Sequence, residues 1–318
     1  MTGTTEVMTG TTEVKTGSLR AWFLAARPKT LTGAVIPVMC GTALAYSDGQ
    51  CHIVSALLCA LFAGSMQIAA NFINDLFDYL KGSDRADRLG PERACAQGWI
   101  TPSDMKRGIV WTLLFACSAG MGVLLYARPR LPYGGGELIV LGGVCVLFAF
   151  LYTTYLSYRG WGDLLVILFF GFVPVGGTYY VQACTLNGNV WLLSLICGLL
   201  IDTLLIINNY RDREQDKLSG KRTLIVRLGG QFGLYLYLML GVVVLLLSWG
   251  LLINGKLNGI SYAIIFLTYS MLHLHTWFRM KQIHSGKALN RILGATSRNM
   301  LLMGILLSAG LAFTAQGA

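Results

Sequence analysis

Two polar clusters interrupt an otherwise apolar chain, and their residue types are those that bind cations. The first lies in residues 67–88, QIAANFINDLFDYLKGSDRADR. On a helix, Asn71, Asn74, Asp75 and Asp78 fall at i, i+3, i+4 and i+7, with Gln67 one turn earlier, so they stack along one side. The second lies in residues 208–222, NNYRDREQDKLSGKR, where Asn208 and Asn209 precede Asp212 and Asp216, themselves one turn apart. Hard carboxylate oxygens suit Mg2+, which keeps several waters and takes one or two carboxylates plus substrate phosphates. Two such pairs can share Mg2+ with a diphosphate. The neighbouring cations, Lys81, Arg88, Lys221, Arg222 and Arg227, suit phosphoryl oxygens, where charge accumulates as a diphosphate leaves. A plain solvated helix end accounts for loop cations. It does not account for Asp75, Asp78, Asp84, Asp87 and Glu92, a third of the chain's 15 acidic residues.

Two further features belong to the same chemistry. Asp202 lies seven residues before Asn209 on the same helix, about 15 Å deeper than Asp212 at ~1.5 Å per residue. An acid at that depth faces a cavity. It either binds an acceptor hydroxyl or pairs with an amide from a neighbouring helix. The segment from Tyr152 through Tyr155, Tyr158 and Arg159 to Asp163 puts an aromatic run and one cation on the same side as the acids. Tyrosines there read as an interfacial belt, and Arg159 as a diphosphate contact.

These residues need a membrane bundle to position them. Of 318 residues, 54% are hydrophobic and only 13% charged, with mean hydropathy +0.59, against about 25% charged in ordinary soluble domains. The net charge of +10 would suit nucleic acid were it gathered on one soluble surface. Instead the cations sit in short loops, which excludes a nucleic-acid partner and makes the lipid bilayer the environment. Eight cysteines without CxxC spacing and four scattered histidines give no metal set.

Apolar runs predict nine spans, at roughly 29–47, 53–74, 107–127, 138–156, 162–183, 189–209, 231–253, 259–278 and 299–315. With the N-terminus inside, all of the 25 Lys and Arg except Arg128, Arg130 and Lys256 fall on the cytoplasmic side. That bias predicts an N-in, C-out topology with both acid clusters facing the cytoplasm. Pro37 and Pro174 fall inside spans and are expected to kink them. Residues 1–18 open with the repeat MTGTTEV, MTGTTEV and are expected to form a disordered tail before a single domain over 19–318.

With those residues laid out, the chain resembles the UbiA superfamily of intramembrane aromatic prenyltransferases, and most closely its 1,4-dihydroxy-2-naphthoate polyprenyltransferase (MenA) branch. The resemblance runs from RPKTL at 27–31 through NDLFDYLKGSDRADRLGPER at 74–93 and YRGWGDL at 158–164 to NNYRDREQDKLSGKRTLIVRLG at 208–229. The superfamily pattern N-D-x-x-D-x-x-x-D matches at Asn74, Asp75 and Asp78, with Gly82 in the last place and Asp84 following in the KGSD form of the branch. The Y-x-x-x-K element corresponds to Tyr155 and Arg159, and D-x-x-x-D to Asp212 and Asp216.

The resemblance implies an all-α ring of nine transmembrane helices around a central cavity. It implies Mg2+ held by Asn74, Asp78, Asp212 and Asp216, with Asp75, Asp84, Asp202, Arg159 and Lys221 in catalysis. Asn71, Lys81, Arg88, Tyr155, Asn208 and Asn209 would bind substrates. The implied reaction moves a polyprenyl group from its diphosphate to 1,4-dihydroxy-2-naphthoate, with loss of CO2 and diphosphate, giving demethylmenaquinone in a bacterial cytoplasmic membrane. Rival readings are another aromatic acceptor in the superfamily, such as 4-hydroxybenzoate or homogentisate, and a transporter. A transporter would carry its charges on broken helices near the midplane, whereas these lie at helix ends.

Overall fold

The computed structural model describes residues 14–82 and 88–316, and among these every regular element is a helix. A short helix, α1 (Leu19–Ala26), is capped by Ser18, whose Oγ accepts from the Ala21 N–H. Long helices follow as α2 (Pro28–Ser47), α3 (Ile53–Leu80), α4 (Pro102–Ala127) and α5 (Gly136–Leu151). The short α6 (Gly162–Ile167) and α7 (Gly177–Ala183) form one span, joined through residues 168–176. Then come α8 (Gly188–Leu218), α9 (Leu224–Leu228), α10 (Gly230–Ile253), α11 (Gly259–Ile283) and α12 (Leu289–Gln316). Of the expected disordered tail, residues 1–13 lie outside the described residues. The remainder is held, since Gly17 N donates to Trp99 O at 2.8 Å.

Eight of these helical segments are long and apolar enough to cross a membrane. The expected ninth, α11, matches them in length but carries His273, His275, Arg279 and Lys281, which dilute its hydropathy. Two expected boundaries fall short of the helices observed. Spans placed to end near 74 and 209 continue to Leu80 and Leu218. Polar residues at a membrane exit stop a hydropathy run without stopping a helix, because the backbone ladder is indifferent to side chains facing a cleft.

The bundle is organised on α8. Of its most apolar stretch, 67% is buried, against 11% for the span that begins with α5. Leu193, Ile196 and Leu200 of α8 meet Ile36 and Leu44 of α2 and Met303 and Leu307 of α12 in the main core. The first and last long helices, α2 and α12, pack along each other. Outward-facing Ile139, Val140, Leu147, Ile264 and Leu267 are exposed on α5 and α11, as lipid-facing side chains would be.

Proline and glycine set how closely the α6–α7 span approaches α8. Pro174 has no N–H to donate, and residues 168–176 around it widen into a π-helical stretch. Just before it, a Cβ on Gly171 would come within 2.3 Å of Ser194 O, and one on Gly198 within 2.9 Å of Ile167 O. Backbones this close require small residues. The crossing fixes the start of α6 against α8 and so positions one wall of the site.

At the opposite end of the bundle Asp48, just past α2, accepts from Lys256 Nζ, from Tyr179 Oη at 2.5 Å and from Asn187 Nδ2 at 3.4 Å. Burial raises the Asp48 pKa, but the Lys256, Tyr179 and Asn187 partners outweigh it and leave the carboxyl below its ordinary 3.8.

Two outcomes follow for stability. Gly171→Ala should lower Tm in detergent by an amount equivalent to about 1–3 kcal/mol of overpacking, while Gly142→Ala, with open space at its Cβ, should not. Because the folded-state pKa of Asp48 is depressed, its contribution is full above the unfolded value and fades as pH falls through the folded one. Asp48→Asn should therefore lower Tm at neutral pH, with the difference shrinking as a melting series is acidified below the ordinary carboxyl range.

Candidate active site

The C-terminal ends of α3 and α8 open into one cleft. From α3 come Asn74 and Asp78, and from α8 Asn208, Asn209, Asp212 and Asp216. Helical periodicity explains the selection. Asn74 and Asp78 are i, i+4 and share a face, as do Asn208, Asp212 and Asp216. Asn71 and Asp75 form a neighbouring stripe turned by roughly 60° and face other partners. Both Asp75 oxygens are taken by backbone N–H groups, of Ala94 at 3.0 Å and Cys95 at 2.9 Å. Asn71 Nδ2 donates to Ala26 O at 2.9 Å and Thr30 Oγ1 at 3.0 Å. The residues expected on one stripe thus divide between the cleft and the loops that roof it.

Asp78, Asp212 and Asp216 each have a cation. Arg93 Nη2 donates to Asp78 Oδ2 at 3.1 Å, with both side chains about nine-tenths buried. Arg211 forks onto Asp212, Nε to Oδ1 at 2.7 Å and Nη2 to Oδ2 at 2.6 Å, and donates from Nη1 to Asn290 Oδ1 at 2.8 Å. Lys221 Nζ lies 3.6 Å from Asp216 Oδ1. Burial works against the Lys221 ammonium, yet the Asp216 and Asp78 carboxylates outweigh it and hold its pKa above the ordinary lysine value. Arg88 and Arg27 complete the cationic wall.

Four expected site residues stand elsewhere. Arg159 lies over the Tyr155 ring, 4.0 Å from its centroid, and both are exposed outside the cleft wall. An i, i+4 pair beside a widened helical turn stacks on itself. Lys81 Nζ donates to Thr154 O at 2.9 Å and sits 4.3 Å from the Tyr158 ring centroid, tying α3 to that turn. Asp202 is buried below the wall, one turn beneath Leu205. Asp84 lies outside the described residues.

The cleft also contains groups that spacing did not single out: Arg27, Arg93, Tyr152, Ser157 and Asp163. Nothing in the spacing of the 81–93 loop separates Arg93 from Arg88. Tyr152 and Asp163 stood at the ends of a segment whose register the widened turn alters. Gly160, at φ 84°, lets this turn pass the 219–223 loop, since a Cβ there would meet Arg222 O at 2.4 Å.

The donor set suits a hard divalent cation. Among the described residues no three acidic, histidine or cysteine side chains form a ready metal cage. An ion that keeps its waters and binds phosphate oxygens needs only one or two carboxylates, and Asp78 of α3 with Asp212 and Asp216 of α8 supply them.

Comparison with known proteins identifies the family. A 1,4-dihydroxy-2-naphthoate octaprenyltransferase of Escherichia coli (strain K12) is 42% identical over 213 residues, 66% of this chain and 69% of the relative. One from Haemophilus influenzae is 33% identical over 302 residues, 92% of this chain and 96% of the relative. A UbiA homologue from Archaeoglobus fulgidus, solved bound to DMAPP and Mg2+, superposes with TM-score 0.61 at 13% identity, covering 91% of this chain and 99% of that one. The profile of the UbiA prenyltransferase family matches residues 34–310, nearly the whole bundle, and the chain belongs to that family.

Proposed function

We propose that this protein transfers a polyprenyl group from an allylic polyprenyl diphosphate to 1,4-dihydroxy-2-naphthoate, with loss of CO2 and diphosphate, in menaquinone biosynthesis. The observation that carries the reading is the meeting of the α3 and α8 acid–amide ends in one cation-lined cleft. The names of relatives at 42% and 33% identity supply the acceptor.

Asn74, Asp78, Asp212 and Asp216 are the residues that would hold Mg2+, and a fold neighbour was solved with that ion and DMAPP. Bound Mg2+ neutralises diphosphate and makes it a better leaving group. The chain itself does the rest. Lys221, Arg88 and Arg93 attract the phosphoryl oxygens, and Lys221 stays protonated across the physiological range. Tyr152 and Leu205 form a wall that excludes water from an electron-poor allylic carbon. Attack through the ring carbon that bears the carboxylate, followed by CO2 departure, leaves a prenylated naphthalenediol, the reduced form of demethylmenaquinone.

In this reading α11 is the ninth span, the N-terminus is inside and the C-terminus outside, and the cleft opens to the cytoplasm of a bacterial inner membrane. The family bundle from residue 19 onward acts as one domain. Asp75 serves as a positioning residue that holds the roof at Ala94 and Cys95. Asn71 and Lys81 act likewise, through α1 and the Tyr152–Leu156 turn.

The test is mass detection of product from purified protein, a polyprenyl diphosphate, Mg2+ and either 1,4-dihydroxy-2-naphthoate or 4-hydroxybenzoate. Transfer to the naphthoate, abolished by EDTA and restored by Mg2+, is expected; transfer to the benzoate alone would overturn the acceptor. Asp78→Ala and Asp212→Ala should each cut turnover by at least about 100-fold, and wild-type rates in either would remove it from the metal site. Asp75→Ala should act differently. It strands two buried N–H donors at about 1–3 kcal/mol each, so Tm falls while the Mg2+ dependence of the surviving activity stays put.

A further inference from the structure

Two acids, one in the cleft wall and one buried beneath it, are not used by the diphosphate chemistry. Asp163, 9% exposed, enters the wall from the first turn of α6, and Asp202, 3% exposed, lies one turn of α8 below Leu205. Oδ1 of each is buried without a hydrogen-bond partner. An unsatisfied carboxylate oxygen in an apolar interior is costly, and it marks a place that a ligand completes. The two acids lie within electrostatic reach of one another and of Tyr152. A Cβ on Gly162 would be 3.8 Å from the Tyr152 hydroxyl oxygen and 3.3 Å from Leu205, so phenol, acid and aliphatic side chain form one floor.

Carboxylates accept hydrogen bonds and give none when ionised, so this floor selects a ligand that brings its own donor. An aromatic diol does so, and Tyr152 and Leu205 offer its ring apolar and aromatic surface. We propose, resting on the function given above, that Asp163 binds the acceptor hydroxyl adjacent to the carboxylate-bearing carbon and shuttles its proton, with Asp202 as the positioning residue behind it.

The step balances without an added reactant. As the ring carbon forms its bond to the prenyl carbon, the allylic C–O bond breaks and its electron pair leaves with diphosphate. The adjacent hydroxyl pushes electrons into the ring as its proton passes to Asp163, leaving a carbonyl. The bond to the carboxylate then breaks, CO2 departs, and the released pair restores the aromatic ring while Asp163 returns the proton to oxygen. No net proton is gained or lost.

The experiment compares three acceptors with wild-type protein, a polyprenyl diphosphate and Mg2+: 1,4-dihydroxy-2-naphthoate, its 1-O-methyl ether and its 4-O-methyl ether. Proton transfer of this kind is worth about 100-fold or more, so the 1-ether should react about 100-fold more slowly than the 4-ether. Asp163→Asn should slow the diol by a similar factor, slow the 1-ether no further, and leave prenyl diphosphate binding, read as a Mg2+-dependent thermal shift, unchanged. Asp163→Glu should recover part of the rate. Asp202→Asn should lower kcat with the diol while KM for the prenyl diphosphate holds, and an unchanged kcat removes Asp202 from the assignment. Equal use of the two ethers, or near-wild-type turnover of the diol by Asp163→Asn, overturns the proposal. The ether comparison needs only wild-type protein, so it decides even where a variant fails to fold. If wild type transfers nothing to the diol, the acceptor reading falls and this proposal with it; transfer with indifferent ethers overturns this proposal alone.

Discussion

Mutual repulsion among acids at the edge of an apolar bundle is the constraint from which the rest of the site follows. Asp78, Asp212 and Asp216 share one cleft, and Asp78 and Asp212 are largely removed from water. In such surroundings unpaired carboxylates are expensive. The chain meets this with a dedicated cation for each: Arg93 from the loop after α3, Arg211 from α8 itself and Lys221 from the loop after α8. These pairs brace the roof over the cleft. They also line the cleft with positive charge.

That arrangement needs α3 and α8 held in fixed register, and small residues do much of this. The α6–α7 span presses its backbone onto α8 at Gly171 and Gly198, and the long α8 carries that contact, the buried Asp202 and the acid ladder on one rigid rod. A rod spaces its side chains at about 1.5 Å per residue, so the distance from floor to diphosphate end is set by helix geometry and not by loop conformation. Functional groups on rigid elements are placed more accurately than groups on loops.

Much of this was legible in the sequence because it rests on composition and periodicity. Mean hydropathy identified a membrane bundle, apolar runs found its long helices, and the two acid–amide clusters pointed to the cleft. What escaped depended on angle and on loops. Asp75 and Asn71 lie on the same helix as Asp78, yet the stripe they form is turned by roughly 60° from that of Asn74 and Asp78 and meets the Ala94–Cys95 backbone and α1 instead. Arg159 matched a motif position, but the widened turn at Tyr152–Leu156 changes the register and leaves it stacked on Tyr155. Arg93 is one of several loop cations, and only the fold brings it to Asp78.

The same widened turn explains how the cleft gains its floor. A regular helix through residues 152–159 would carry its side chains round at about 100° per residue and give the tyrosines a fixed periodicity. The π-helical turn adds a residue per hydrogen-bonded loop and puts Tyr152 in the wall while Tyr155 faces outward. Lys81 secures it by donating to Thr154 O, and Thr153 Oγ1 donates to Asn74 Oδ1 at 2.7 Å. Through that last bond the floor segment touches a residue of the acid cluster directly. With Lys81 on Thr154 O, this bond fixes the turn to the end of α3 and so holds the two halves of the cleft in register.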